Sequence, residues 1–292
     1  PLYYLSAAGV LNVLLNLLFV IRFSMGVAGV ALATSISQYL SAALIAICLM
    51  RSESCYRLHW DELALHKDKA LPIIRIGLPA GLQSSIFAIS NVVIQSSINS
   101  FGSIAMAGSA AAANIEGFVY VSMNSVAQAS LSFASQNIGA RRYERISKIS
   151  RTCLLLAALF GLVLGNGVYL LHDTFLRFYS PDPAVIEAGA LRLSVICTTY
   201  FLCGLMDTLA CILRAMGKSL LPMVVTIIGA CGLRVLWIYT VFPLDRTFFT
   251  LFLSYPITWG VTAAVHAVCY FFTKRTMLRR AQASAPSEAS ST

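Results

Sequence analysis

Apolar residues run along this chain in long unbroken blocks. Eight stretches lack a paired charge over roughly 18 or more residues, the length needed to cross a bilayer as a helix. They lie at approximately 2–21, 27–50, 72–98, 105–134, 152–171, 188–213, 219–241 and 248–272. Alternation of period two, the mark of barrel strands, is absent, so the pattern predicts helices. Composition agrees: 58% of residues are hydrophobic and only 11% charged, about half the charge of a typical soluble domain. With a mean hydropathy of +0.77, the chain reads as an all-α integral membrane protein.

The pattern at the end repeats the pattern at the beginning. Pro1 to Gln38 and Pro222 to His266 each open on Pro, run through an apolar helix into a short polar turn, and continue as a second apolar helix. Repeated hydropathy in a membrane chain marks a transporter of two related halves, with substrate handled at their interface. The chain begins at Pro1, with no Met and no basic stretch before the first block, which reads as a fragment starting inside a repeat. Setting Pro1 against Pro222, with a second half opening near Pro72, predicts about 150 further residues upstream, some four helices, and twelve helices in all. In that scheme residues 1–50 are the last two helices of a first lobe, and 51–71 a cytoplasmic linker with a short interfacial helix around Trp60 to His66. Residues 72–272 are a complete six-helix second lobe, and 273–292 a basic, then disordered, tail. Such a fragment is not expected to transport alone.

A net charge of +9 could suggest nucleic acid, but its placement argues for a bilayer. Sixteen Lys and Arg residues fall on one set of alternate loops, around 51–75, 141–151, 214–218 and 274–280, against Arg22, Arg177 and Arg246 on the other. That asymmetry places the 51–71 loop and the C-terminus in the cytoplasm. Arg192 and Arg234 read as lying in helix ends. The loop at 136–151, with Ile138, Ile146 and Ile149 among its charges, reads as a headgroup anchor. The eight Cys residues, Cys55 among them, are scattered without CxxC pairing and read as small buried hydrophobes. His59, His66, His172 and His266 form no cluster. No phosphate-binding Gly loop, triad spacing or metal-ligand spacing is visible, so no enzyme or ATP-driven pump is indicated.

Two acids stand inside spans, Glu116 and Asp207. A carboxylate at the bilayer centre costs about 2.5–3.5 kcal/mol on insertion scales, so each, if unpaired, is a candidate to exchange a proton or cation. Glu116, Tyr120, Asn124 and Gln128 recur every four positions and form one ladder on the fourth span, with Asn114, Gly117 and Ser132 on an adjoining face. Gln83, Ser90 and Ser97 make a stripe on the third span, with Asn91 and Gln95 beside it. Lipid would not tolerate these stripes outward. They line a hydrogen-bonding cavity, or they are interhelical glue. For Asp207 the structural reading is a salt bridge to Arg214, about 10 Å along the helix. Arg234 could snorkel outward or pair with Asp245. Gly77, Pro79, Gly81 and Pro256 would permit bends, although such residues are common in membrane helices.

Several segments resemble one known family, the multidrug and toxic compound extrusion (MATE) transporters. LNVLLNLLFVIRFSMGVAGVALATSISQ, residues 11–38, looks like the pattern closing that family's first half, and LRAMGKSLLP, residues 213–222, like its second-half equivalent. IGLPAGLQSSIF (76–87) and ASQNIGARRYER (134–145) resemble its second-half segments, and AAANIEGF (111–118) is most similar to the MepA- and DinF-like bacterial branch. The resemblance implies twelve helices in two six-helix lobes, exporting cationic or amphipathic compounds in exchange for H+ or Na+. It further implies a multi-pass protein of the bacterial cytoplasmic membrane, monomeric at full length, with the bilayer and small substrates as partners and no nucleic acid.

The match has departures. Several members carry an acid in the first helix of the second lobe, where this chain has only Gln83, Asn91 and Gln95. The acid they place in that lobe's fourth helix falls about one turn before Asp207. Two alternatives remain beside the exporter. A lipid-linked oligosaccharide flippase would need a more basic cavity, whereas only Arg234 lies away from the cytoplasmic ends. A receptor or scaffold would have no continuous cavity.

Overall fold

The computed structural model describes residues 2–52, 57–59, 64 and 66–283. The interfacial helix expected around Trp60 to His66 lies largely outside these residues, as do Cys55 and the tail from 284 onward. All eight apolar blocks are helices long enough to cross a membrane.

The chain divides into two compact units at Lys67 and Asp68. The first holds α1 (Leu2–Leu17), a π-helical continuation (Leu18–Arg22) and α2 (Gly26–Arg51). The turn between them works because Ser24 and Gly26 both take positive φ, 52° and 56°. Asn16 donates to the Asn12 carboxamide at 3.0 Å, a bond internal to α1.

The second unit holds α3 (Lys67–Asn99), α4 (Ser103–Gly139), α5 (Ile146–Leu170), the short α6 (His172–Arg177), α7 (Pro183–Ala215), α8 (Leu220–Thr226), a π-helical turn (Ile227–Gly232), α9 (Leu233–Thr240) and α10 (Phe248–Ala283). Several predicted boundaries move. Helix α3 starts at Lys67 rather than 72, with Asp68 in its first turn, where a carboxylate meets the positive end of the helix dipole. Helix α10 continues through the predicted tail to Ala283. The anchor loop expected at 136–151 contracts to a turn. Helix α4 runs to Gly139, Arg141 takes φ 58°, Tyr143–Arg145 form a 3-10 turn, and α5 follows. Ile146 is 0% exposed and enters the core instead of the headgroup layer.

Helix α7 is the axis of this unit, packed by α4, α5 and α10. Its start is fixed locally: the Asp182 side chain accepts from the Ala184 N–H at 2.9 Å, and Pro183 opens the first turn. Close approach of α5 to α7 rests on Gly161 and Gly165, spaced as small-xxx-small. A Cβ on Gly165 would strike the Cys197 carbonyl, and one on Gly161 would lie 2.5 Å from the Phe201 Cα. The core around α7 includes Met123, Tyr200, Met206, Phe252 and Trp259. Cys153, Cys197, Cys203, Cys211 and Cys231 are buried and free. Arg151 of α5 and Lys274 of α10 line one groove, so two of the basic clusters stand at the same end of this unit.

Candidate functional site

Two cavities, each of about 290 Å³, open within the second unit. The first lies toward the C-terminal end of α7 and is lined by Gln83 of α3, Tyr120, Asn124 and Gln128 of α4, and Asp207 and Arg214 of α7. The other lies toward the N-terminal half of α7, with Asn91 and Gln95 of α3, Glu116 of α4, Arg192 and Tyr200 of α7, and Tyr255 and Trp259 of α10. Phe87, Tyr120 and Cys203 line both and form the partition between them. Eight of the nine acids, amides and tyrosine singled out from sequence therefore line these cavities, whereas Ser90, Ser97, Gly117 and Ser132 are not in their walls. Nor is Asn114. It is exposed and donates to the Ala110 carbonyl of its own helix at 3.1 Å, because two residues from Glu116 a side chain stands on the far side of an α-helix.

Glu116 is not the unpaired acid its sequence context suggests. It is 4% exposed, and Arg192 grips it bidentately, Nε to Oε1 at 2.8 Å and Nη2 to Oε2 at 2.9 Å, while Nη1 donates to Ser109 at 2.6 Å. Such a fork is among the stronger pairings available to a buried carboxylate. Arg192 is correspondingly not in a helix end. It sits about two and a half turns inside α7, buried, with its guanidinium 5.2 Å from the Phe252 ring.

Asp207 is different. It is half-buried on the first cavity, and its carboxylate has no hydrogen-bond or ion-pair partner among the described residues. The predicted salt bridge to Arg214 does not form. Arg214 instead donates from Nη2 to the Gln83 carboxamide oxygen at 2.6 Å.

Arg234 neither snorkels nor meets Asp245. It is 0% exposed, donates to the Asn91 carboxamide oxygen at 3.2 Å, and lies 4.2 Å over Tyr255 and 5.4 Å over Phe87. The Asp245 carboxylate is taken by the Thr250 hydroxyl at 2.7 Å. Arg234 follows the π-helical turn at Ile227–Gly232, whose wider winding shifts the phase of the residues after it.

The amides also choose between cavity and glue. Gln95 donates to Asn99 at 3.0 Å and Gln128 to Asn124 at 3.4 Å, each within its own helix. The polar bonds that do cross between helices in this region come from Arg192, Arg214 and Arg234. Sequence reading missed these arginines as site residues, along with Tyr200, Tyr255 and Trp259. The available signal was cost: a guanidinium deep in an apolar helix implies a partner at the same depth. Among the described residues no three His, Cys, Asp or Glu side chains converge, and each cavity sets one carboxylate beside one guanidinium, Asp207 with Arg214 in the first and Glu116 with Arg192 in the other.

The chain is similar to proteins described as multidrug resistance or export proteins and to a MATE family transporter. YoeA of Bacillus subtilis, a probable multidrug resistance protein, is 25% identical over 244 residues, covering 80% of this chain and 52% of that protein. The multidrug export protein MepA of Staphylococcus aureus is 21% identical over 229 residues, covering 78% of this chain and 51% of MepA. The chain thus spans about half the length of these relatives. An outward-facing structure of a multidrug resistance MATE family transporter superposes with a TM-score of 0.85 at 18% identity, over 93% of this chain and 61% of that one. That likeness shows the fold alone, an all-helical fold like that of MATE transporters with eight helices long and apolar enough to cross a membrane. Residues 79–240, from Pro79 within α3 to the end of α9, match the MatE family and contain Glu116, Asp207, Arg192, Arg214 and Arg234, and this chain belongs to that family.

Proposed function

We propose that the protein is a secondary active exporter of cationic or amphipathic small molecules, working by alternating access and driven by exchange for protons or sodium ions in a multi-pass membrane setting with its C-terminus cytoplasmic. The observation that carries this reading is Asp207, a carboxylate with no hydrogen-bond or ion-pair partner among the described residues, on a cavity of amides and aromatic rings that it shares with Arg214. Its charge is available to a proton, a metal cation or a cationic substrate, and these compete for it. The faces of Tyr120, Tyr200, Tyr255 and Trp259 offer cation–π and stacking contacts for an aromatic or cationic guest. Glu116 enters the exchange only when Arg192 releases it, so in this reading it sets the register of α4 against α7 and Asp207 does the exchanging. The test is ion-driven transport by the full-length protein in vesicles. Asp207→Asn should abolish transport and Asp207→Glu should retain part of it; full transport by Asp207→Asn overturns the assignment.

A second reading, flipping of a lipid-linked oligosaccharide, gains from the arginines at 192, 214 and 234. It stands second because Glu116 neutralises Arg192 and Arg234 is enclosed.

A further inference from the structure

A third concavity lies on the outer surface of the second unit, away from both internal cavities. Helices α5 and α10 each pack on α7, and between them runs a trough of about 520 Å³. Its floor is Leu205 and Leu209 of α7, with Leu154 of α5 on one wall and Ala264 and Ala267 of α10 on the other. The small alanines keep it open. The flanking surface carries large exposed apolar side chains: Leu155 is 71% exposed, Leu159 56%, Val268 53% and Phe272 68%. A face of this kind belongs against hydrocarbon, where a polar side chain would be costly.

At one end the chemistry changes. Ser147 and Arg151 of α5 and Lys274 of α10 close the trough there. Ser147 and Arg151 are one turn apart on the same face, and the Lys274 ammonium lies 5.8 Å over the Tyr270 ring. Neither cation is in an ion pair with a described carboxylate. An apolar trough capped at a single end by two unpaired cations is the complement of an acyl chain ending in a phosphate. There is no acid in the lining to meet the amine of a zwitterionic headgroup.

We propose that the α5–α7–α10 trough is a binding site for one anionic phospholipid, its acyl chain along Leu205 and Leu209 and its phosphate between Arg151 and Lys274. The start of α5 at Ile146 turns its partial positive charge toward the same end. This is a defined site and not the diffuse attraction of a basic surface: Arg141 and Arg142, in the neighbouring turn, take no part in it.

The test uses the full-length protein released from detergent into a native mass spectrometer after exposure to phosphatidylglycerol or phosphatidylcholine. The wild type and Arg141→Gln/Arg142→Gln should retain one phosphatidylglycerol in preference to phosphatidylcholine. Arg151→Gln/Lys274→Gln should lose that preference, with binding about 25-fold weaker, since each basic residue near a membrane surface contributes a factor of about five. Ala264→Trp, filling the trough with both cations intact, should displace the lipid. Equal retention of the two lipids overturns the proposal, as does equal loss in both arginine-containing charge variants, full competition by inorganic phosphate, or a lipid-free dimer joined through this face. Both charge variants replace side chains that are exposed or half-exposed, so their comparison decides the matter even if Ala264→Trp fails to fold.

Discussion

Glu116 and Arg192 are 76 positions apart in sequence and joined by two hydrogen bonds in space. Removing one charge leaves the other buried and uncompensated, which costs about 3–5 kcal/mol, whereas replacing both with apolar side chains of similar volume is often neutral. Glu116→Gln should therefore lower the unfolding midpoint of the full-length protein sharply, and Glu116→Leu/Arg192→Met should restore it. Measuring transport in the restored double variant separates roles: activity there makes the pair structural, and loss there gives Glu116 a part in exchange. The acids were legible in the sequence because a carboxylate in an apolar block is rare and expensive. Their partners were not. Helical spacing relates residues within one helix, and nothing in it specifies that Arg192 of α7 meets Glu116 of α4 or that Arg214 turns to Gln83 in place of Asp207.

At the scale of elements, the eight apolar blocks located every long helix, while their ends shifted where charged residues could still be accommodated in a helical turn. Lys67 to Leu71 and Thr273 to Ala283 joined helices that hydropathy alone stopped short of. The π-helical turn at Ile227–Gly232 was the larger surprise, since apolar periodicity carries no sign of one extra residue per turn. The contact between α5 and α7 makes its own demand. Gly165→Ala puts a methyl group into the Cys197 carbonyl and should destabilise by about 1–3 kcal/mol, the usual range for overpacking. Gly167, in the same helix, has open space around its would-be Cβ, so Gly167→Ala should stay within about 0.5 kcal/mol of wild type. Thermal unfolding of the two variants side by side checks this, and equal effects would contradict the close approach.

Over the whole molecule, Leu2 to Gln38 and Pro222 to His266 each hold a helix with a π-helical stretch, a connecting turn and a second helix. Transport by two related halves needs both around a shared site, and this chain spans about half the length of its relatives. Reconstituted alone in vesicles under an ion gradient, it should show no net substrate movement, while the full-length protein should show it; transport by the isolated chain would mean that this span is sufficient. The partition of Phe87, Tyr120 and Cys203 carries a further consequence. It leaves two chambers of similar size with unlike walls, one presenting Asp207 and amides, the other richer in aromatic rings, with its acid, Glu116, already paired to Arg192. A small cation in the first and a flat aromatic molecule in the second could be lodged together, each slowing the other's passage without evicting it, so inhibition between two such guests would be partial and mixed instead of strictly competitive.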